Sequence, residues 1–192
     1  MKKKPSGIFR ARLAARGFKQ EEGKNYSNDD KSSPVITDMS IAIVMVFCIL
    51  ANWSTRITDV EGAFLHGSFQ NKNEKVYTQV PVGLRELYPP WALLLLLATI
   101  YGTIQGALQW FREMIKALMY LQWVRNSCDP CLHYKWIEGK LTVFILWVDD
   151  CLVAGPDNSV ITETTKFREL YDTTDEGIMN EYVGCKIEHT DK

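Results

Sequence analysis

Thr142-Val143-Phe144-Ile145-Leu146-Trp147-Val148-Asp149-Asp150-Cys151-Leu152-Val153-Ala154-Gly155 carries an almost wholly apolar, β-rich run into two adjacent aspartates. A shorter apolar run then leads to Gly155-Pro156. Apolar runs of this length, bounded by turn residues, read as buried strands. Asp149 and Asp150 then lie at the tip of a hairpin or where a strand reaches a surface. Neighbouring carboxylates repel unless they face water or share a cation, and oxygen-only donors suit Mg²⁺. On the pair alone an ordinary Asp-rich turn is the simpler reading, since Asp bonds its own backbone there. A second segment repeats the theme. Thr58-Asp59-Val60-Glu61-Gly62-Ala63-Phe64-Leu65-His66-Gly67 has a lone Asp, an apolar residue, then small residues and an aromatic.

The chain has 192 residues, 46% of them hydrophobic, enough to bury a core as one unit or as two closely joined subdomains. Its net charge of −1 is unevenly spread. Lys2, Lys3, Lys4, Arg10, Arg12, Arg16 and Lys19 fall within the first 20 residues with no acid among them, which leaves −8 for the remainder. A basic arm on an acidic body fits phosphate contact at one end and metal-binding carboxylates at the other; Lys2 to Lys4 read more simply as a solvated tail. The 5 cysteines are odd in number and two lie in strongly apolar runs, the pattern of reduced, packed thiols in an intracellular chain. Cys128-Asp129-Pro130-Cys131, with His133 nearby, lacks a second Cys/His pair at a usual spacing, so zinc is not expected. The charged N-terminus has no apolar core followed by a cleavage site, so no signal peptide is read.

A strand or hairpin is read around residues 8–18, on which Arg10, Arg12 and Arg16 share a parity and project to one face. Guanidinium forks there suit a triphosphate or a template backbone, with a plain solvated face the equal alternative for Arg16. Residues 21–37 read as a loop, and Thr37 or Asp38 as the cap of the helix that follows. Met39 to Trp53 carries no charge, which predicts a helix buried on most sides. A short strand over 56–60 delivers Asp59, and Gly62 and Ala63 are small enough to let backbone N–H groups approach a phosphate. Phe64, from spacing alone, is core packing. Residues 76–83 read as an exposed strand ending at Pro81. Leu87 to Phe111 is again uncharged, but Pro, Gly and Gln confine its dense apolar part to Trp91–Ile100, nearer a buried element than a span of about 20 residues. An amphipathic surface helix is expected over 111–123, with Phe111, Met114, Ile115, Leu118 and Leu121 on one side. Strands over 132–137 and 141–148 meet around Glu138-Gly139-Lys140, a hairpin signal. A helix over 159–171 and a final strand over 182–189 complete the reading.

Several words recur in a fixed order: Ala11-Arg12-Leu13-Ala14-Ala15-Arg16-Gly17-Phe18-Lys19-Gln20, Ser33-Pro34-Val35, Asp59 to Gly67, and Val76-Tyr77-Thr78-Gln79-Val80-Pro81-Val82-Gly83. Tyr101-Gly102, Gln105, Trp110-Phe111, Asp129-Pro130-Cys131-Leu132, Trp147 to Gly155 and Val183-Gly184-Cys185-Lys186-Ile187-Glu188 follow. In this order they resemble the copia-type reverse transcriptase domain of long-terminal-repeat retrotransposons. The resemblance implies an α+β fold, a right-hand polymerase palm with partial fingers, its antiparallel sheet packed by helices. Residues 1–192 would be a single fingers/palm unit: about 1–35 partial fingers, about 36–192 palm and interleaved fingers, with thumb and ribonuclease H absent.

The activity implied is that of an RNA-directed DNA polymerase, a nucleotidyltransferase. Asp59, Asp149 and Asp150 would be catalytic and, with the carbonyl of Val60, would hold two Mg²⁺ ions, for which Mn²⁺ can substitute. Arg10, Arg12, Gly62, Ala63, Phe64 and Gln105 would contact the nucleotide, Phe64 beneath the sugar where a 2′-hydroxyl would clash, and Arg16 and Lys19 the nucleic acid. The partners implied are an RNA or DNA template-primer, dNTPs and the rest of a polyprotein with integrase and ribonuclease H. No membrane is implied; the setting is a cytoplasmic virus-like particle or the nucleus. Ile104, Ala107 and Leu108 stand where the family usually has Lys, Pro and Arg. Leu97, Ala98 and Ala42 replace common cations, and Trp147 the usual Tyr. Lost cations weaken phosphate binding, so a fragment or decayed copy that does not polymerise is the alternative. A small protein with two membrane spans, 39–53 and 91–111, is the third reading; its first run is short and its second interrupted.

Overall fold

The computed structural model describes residues 2–3, 9–10, 12–69, 75–177, 181–182 and 185–186. Ala11, Val183, Gly184 and residues 187–189 of the expected final strand lie outside them. The elements are β1 (Lys2–Lys3), β2 (Phe9–Arg10), α1 (Asp38–Leu50), β3 (Ser54–Val60), β4 (Tyr77–Gln79), β5 (Leu93–Leu95), α2 (Gly106–Tyr120) and β6 (Val124–Arg125). They continue with β7 (Leu132–Ile137), β8 (Lys140–Trp147), β9 (Asp150–Gly155), α3 (Asp157–Arg168), β10 (Thr173–Gly177), β11 (Glu181–Tyr182) and β12 (Cys185–Lys186). The chain divides into two units: unit 1, Met1–Ser33 with Gly62–Glu113, and unit 2, Pro34–Glu61 with Met114–Lys192.

Unit 2 is built on a mixed α/β plan around one antiparallel sheet of 6 strands, in the order β10-β3-β9-β8-β7-β6. Consecutive residues are buried over 142–146 and 151–155, so both faces of the β8–β9 hairpin are covered, as an unbroken apolar run requires. The preceding hairpin turns on Glu138 and Gly139, with φ of 50° and 74°, the two positive values a tight I′ turn needs. α3 lies on β3 and β9, and α1 against β9. Trp123, Phe144 and Phe167 stack edge to face through the interior, with centroids 5.4 and 5.3 Å apart. Buried Glu163 pairs with Lys135 at 2.9 Å and Lys166 at 2.7 Å, so its charge is compensated where an unpaired one would be costly. α2 stops because Gln122 adopts a φ of 65° while the Trp123 and Gln122 N–H groups bond the Leu118 and Met119 carbonyls, closing its last turn.

One polar residue organises the entry to α1. Thr37 is the N-cap, its hydroxyl accepting from the Ser40 N–H. Asp129, 2% exposed, accepts at Oδ2 from the Thr37 N–H (2.9 Å) and the Ser40 hydroxyl (2.7 Å), and at Oδ1 from the Cys131 N–H (3.0 Å). Burial pushes its carboxyl up, but the bonds from Ser40, Thr37 and Cys131 outweigh that and hold its pKa below the usual Asp value. Asp129-Pro130-Cys131 is thus a clasp that fixes the helix start to the first residues of β7.

Unit 1 is held by close backbone contact. The Ala15 N–H bonds the Tyr101 carbonyl at 2.6 Å, and a Cβ on Gly17 would lie 2.2 Å from the Gly102 carbonyl oxygen. Gly102 itself has a φ of +82° and a Cβ there would meet the Ala15 oxygen at 2.3 Å, so only glycine fits. β4 and β5 form a two-stranded ribbon, as do β1 and β2.

Several expectations need correction. Among the described residues of 8–18 only β2 is strand; residues 12–16 run irregularly against Tyr101-Gly102, and Gly17–Lys19 is a 3₁₀ turn. Arg10, Arg12 and Arg16 therefore do not share one strand face. α1 buries only Ser40 and Val44, leaving Met39, Ile49 and Leu50 at least 70% exposed. Absence of charge told what the helix tolerates, not what covers it. Trp91 and Leu97 are likewise exposed, at 82% and 87%, so the Leu-rich tract is no buried element. α2 begins at Gly106, earlier than residue 111. The end of the chain pairs as a small hairpin, Glu181 with Lys186 and Tyr182 with Cys185. No helix among the described residues is long and apolar enough to cross a membrane.

Replacing Asp129 by Ala removes the acceptor of the Thr37 N–H and hydroxyl, the Ser40 hydroxyl and the Cys131 N–H, and is expected to cost on the order of 3 kcal/mol. The sign of the pH effect follows from its depressed pKa. The stability it contributes is complete above the ordinary Asp range, about pH 4, and disappears as pH falls through the folded-state value. Thermal denaturation followed downward from about pH 6 should therefore show a smaller acid-induced loss in Asp129→Asn than in the parent chain.

Candidate active site

The sequence around Asp59 and Asp150 has no choice of partner once β3 and β9 pair. Their register runs from Ser54 opposite Gly155 to Asp59 opposite Asp150, two carboxylates on directly facing residues. Asp149 occupies the β8–β9 turn and its carbonyl accepts from the Val60 N–H at 3.2 Å, which ties the turn to the end of β3. All three aspartates are half-buried. Directly facing like charges destabilise a sheet unless something offsets them.

The three charges converge on one neighbour. Cys151 is fully buried; burial first, then Asp150, Asp149 and Asp59 in that order, push its thiol well above its ordinary value. The thiol stays protonated and takes no part as a nucleophile. The turn itself is strained: Val148 has a φ of 55°, a region a β-branched residue almost never occupies. A positive φ at the first residue of a two-residue hairpin loop is the II′ arrangement, in which Gly is the usual occupant.

Among the described residues no three His, Cys, Asp or Glu side chains are gathered into a ready-made metal cage. Mg²⁺ does not ask for one, being held by one or two carboxylates with substrate phosphates completing its shell. An oxygen-only donor set at the facing ends of β3 and β9 fits that ion.

The remaining predicted site residues belong to unit 1. Gly62 has a φ of 66° and opens a 3₁₀ turn, Ala63–His66; Ala63 is wholly buried. Phe64 stands edge-on to Tyr101 with centroids 4.6 Å apart, and the Arg12 guanidinium lies 5.3 Å from the same ring, on an exposed residue. Arg16 and Lys19 are exposed. Arg10 lies in β2, outside the residues whose side chains are described. Gln105 is 2% exposed; its amide accepts from Gln20 Nε2 at 2.9 Å and donates to the Asn25 carbonyl at 3.1 Å, so it braces the 20–25 loop from inside. The sequence reading missed β10. Thr174 faces Asp59 across β3, its hydroxyl donates to Glu61 Oε1 at 3.1 Å, and the Glu61 N–H bonds the Asp172 carbonyl. Its β-branched Thr173-Thr174 signal is short and runs into Asp175-Glu176-Gly177, a turn-like sequence.

The sheet end sets two carboxylates on facing residues with a third on the adjoining strained turn, in a fold of mixed α and β elements. The family model described as reverse transcriptase (RNA-dependent DNA polymerase) matches residues 1–191, and the chain belongs to that family, in its copia-type branch. It is 27% identical over 181 residues, 93% of the chain, to the retrovirus-related Pol polyprotein from transposon TNT 1-94 of Nicotiana tabacum. Over 81% of the chain it is 30% and 32% identical to the Pol polyproteins from transposons RE2 and RE1 of Arabidopsis thaliana. The chain spans 13%, 10% and 10% of the lengths of these three relatives. No solved structure matches it.

Relieving the turn gives a direct check of the strain. Val148→Gly is expected to raise stability by about 1 kcal/mol, the left-handed penalty less the extra unfolded-chain entropy of glycine, read as a higher melting temperature.

Proposed function

We propose that this chain is the polymerase portion of a retrotransposon polyprotein, joining deoxynucleotides to a primer 3′-hydroxyl on an RNA or DNA template. Unit 2 then corresponds to much of a palm and unit 1 to fingers. The observation that carries the reading is the register that sets Asp59 opposite Asp150, with Asp149 beside them. Asp59 and Asp149, with the Val60 carbonyl, would hold two divalent ions, Mg²⁺ or Mn²⁺, and Asp150 would support them near the primer end. When bound, such ions lower the pKa of an attacking hydroxyl and neutralise charge on a departing pyrophosphate.

The chain's own residues do the rest by position. The β8–β9 turn holds Asp149 through the Val60 N–H, which keeps the carboxylate on the facing strand end. Gly62 and Ala63 line the approach of the nucleotide, and the Phe64 ring, braced edge-on by Tyr101, excludes a 2′-hydroxyl. Arg10 and Arg12 attract the triphosphate, and Arg16 and Lys19 the nucleic-acid backbone. Gln105 acts through the 20–25 loop that its amide braces, with no direct contact of its own.

A second reading, a chain that folds without polymerising, draws support from that sequestered amide and from apolar Ile104, Ala107 and Leu108. Primer extension on a poly(rA)/oligo(dT) template with Mg²⁺ separates the two. The polymerase reading expects incorporation that falls about a hundredfold or more in both Asp149→Asn and Asp59→Asn. Phe64→Ala should keep deoxynucleotide incorporation and admit ribonucleotides. A folded chain that incorporates nothing supports the second reading.

A further inference from the structure

The helix α1 meets solvent with an apolar face. Its inner side seats buried Ser40 and Val44 and half-buried Cys48, a row spaced by four residues that the helical turn brings into line. The opposite side carries Met39, Ala42, Ile43, Val46, Phe47, Ile49 and Leu50, all exposed and all apolar. Asp38, at the first position, is the only charged residue of the helix. A surface helix ordinarily turns charged and polar residues outward. Here the six large side chains of the outer side are between 45 and 79% exposed, which leaves on the order of 700 Å² of apolar surface, at about 200 Å² for each large side chain fully exposed. The largest patch of an ordinary monomer is roughly 300–600 Å².

The spacing within that face selects the kind of surface that would cover it. Met39, Ile43, Val46 and Leu50 follow one another at intervals of four, three and four residues, the seam along which one helix packs on another. The seam is also symmetric about its own middle. Ile43 and Val46 lie equally far from the midpoint between them, and so do Met39 and Leu50. Two copies of α1 laid antiparallel about a two-fold axis at that midpoint therefore set Ile43 against Val46 and Met39 against Leu50, each pair occurring twice. With Asp38 as its one charge, at the end of the seam, the face has nothing at its centre to repel a copy of itself and nothing there to select a charged partner. Two such faces brought together bury on the order of 1,400 Å², against the roughly 1,200–2,000 Å² of a stable interface.

We propose that α1 is a self-association surface through which two copies of this chain pair as an antiparallel helix dimer. The pairing lies outside nucleotidyl transfer and does not rest on the polymerase reading. A chain that pairs and extends no primer leaves it intact.

The test is sedimentation equilibrium of the full chain over about 1 to 100 μM, the range in which interfaces of this size begin to hold. The parent is expected to pass from monomer to dimer as concentration rises. Ile43→Lys and Val46→Glu each put a charge at the centre of the seam, and each should weaken association roughly 30-fold or more. An equimolar mixture of the two variants should recover much of the loss, because the introduced ammonium meets the introduced carboxylate only in the antiparallel register. Leu93→Lys, at an exposed apolar residue of β5, should associate as the parent does. All three altered side chains are exposed, and thermal melts matching the parent's establish that the variants fold. A parent that stays monomeric throughout the range overturns the proposal and leaves the face to a partner of different sequence. Parent-like association by Ile43→Lys, loss of association in Leu93→Lys, or a mixture no stronger than its components would each overturn it as well.

Discussion

The pairing of β3 with β9 is the constraint on which the rest of unit 2 depends. Six facing pairs, from Ser54–Gly155 to Asp59–Asp150, fix which side of each strand meets the core. A slip of one residue would turn every side chain of β3 to the opposite face and unseat buried Thr55, Ile57, Thr58 and Val60 from their neighbours. The same register leaves no freedom at its end, where it sets one carboxylate opposite another. A sheet selected for stability alone would not place them so, because facing like charges are destabilising. The core thus dictates the charge arrangement at that end of the sheet.

Two further contacts carry comparable weight because each is buried and singular. Asp129 gathers donors from Thr37, Ser40 and Cys131, so a side chain some 90 residues on caps the first turn of α1. In unit 1 the carbonyls of Gly102 and Ala15 press on positions where any Cβ would collide, which makes Gly17 and Gly102 mutually dependent. Both devices join segments far apart in sequence, the kind of closure whose chain-entropy cost must be met by strong local interactions.

What could be read from residues alone follows from this. The β7–β8 and β8–β9 hairpins, the strand at Asp59 and the Thr37 cap were legible, because apolar runs, Glu138-Gly139 and a capping hydroxyl act within a few residues. The role of Asp129 was not, since its donors come from another part of the chain. β10 escaped because two threonines are a weak strand signal and its pairing with β3 is non-local. The cover over α1 and over Trp91–Ile100 was misjudged for a related reason. Uncharged sequence reports compatibility with burial, whereas burial itself needs a partner surface. Of the candidate site, the carboxylates were legible as a motif. The sequestration of Gln105 was not, because nothing in its neighbours in sequence announces Gln20 and Asn25.

The strain at Val148 belongs to the same logic. A glycine would enter the turn without cost, yet a β-branched side chain stands there with a φ of 55°, between Trp147 and Asp149. Strain of this kind persists only where its surroundings over-determine it. Here the surroundings are the buried runs 142–146 and 151–155 below the turn and the Val60 N–H bond to the Asp149 carbonyl beside it. Beneath them the protonated Cys151 thiol adds no charge of its own. Asp149 therefore sits on a strained and weakly polar base. Preorganisation is what a site that works by electrostatics requires, because a carboxylate that had to move into place would spend its interaction energy on doing so.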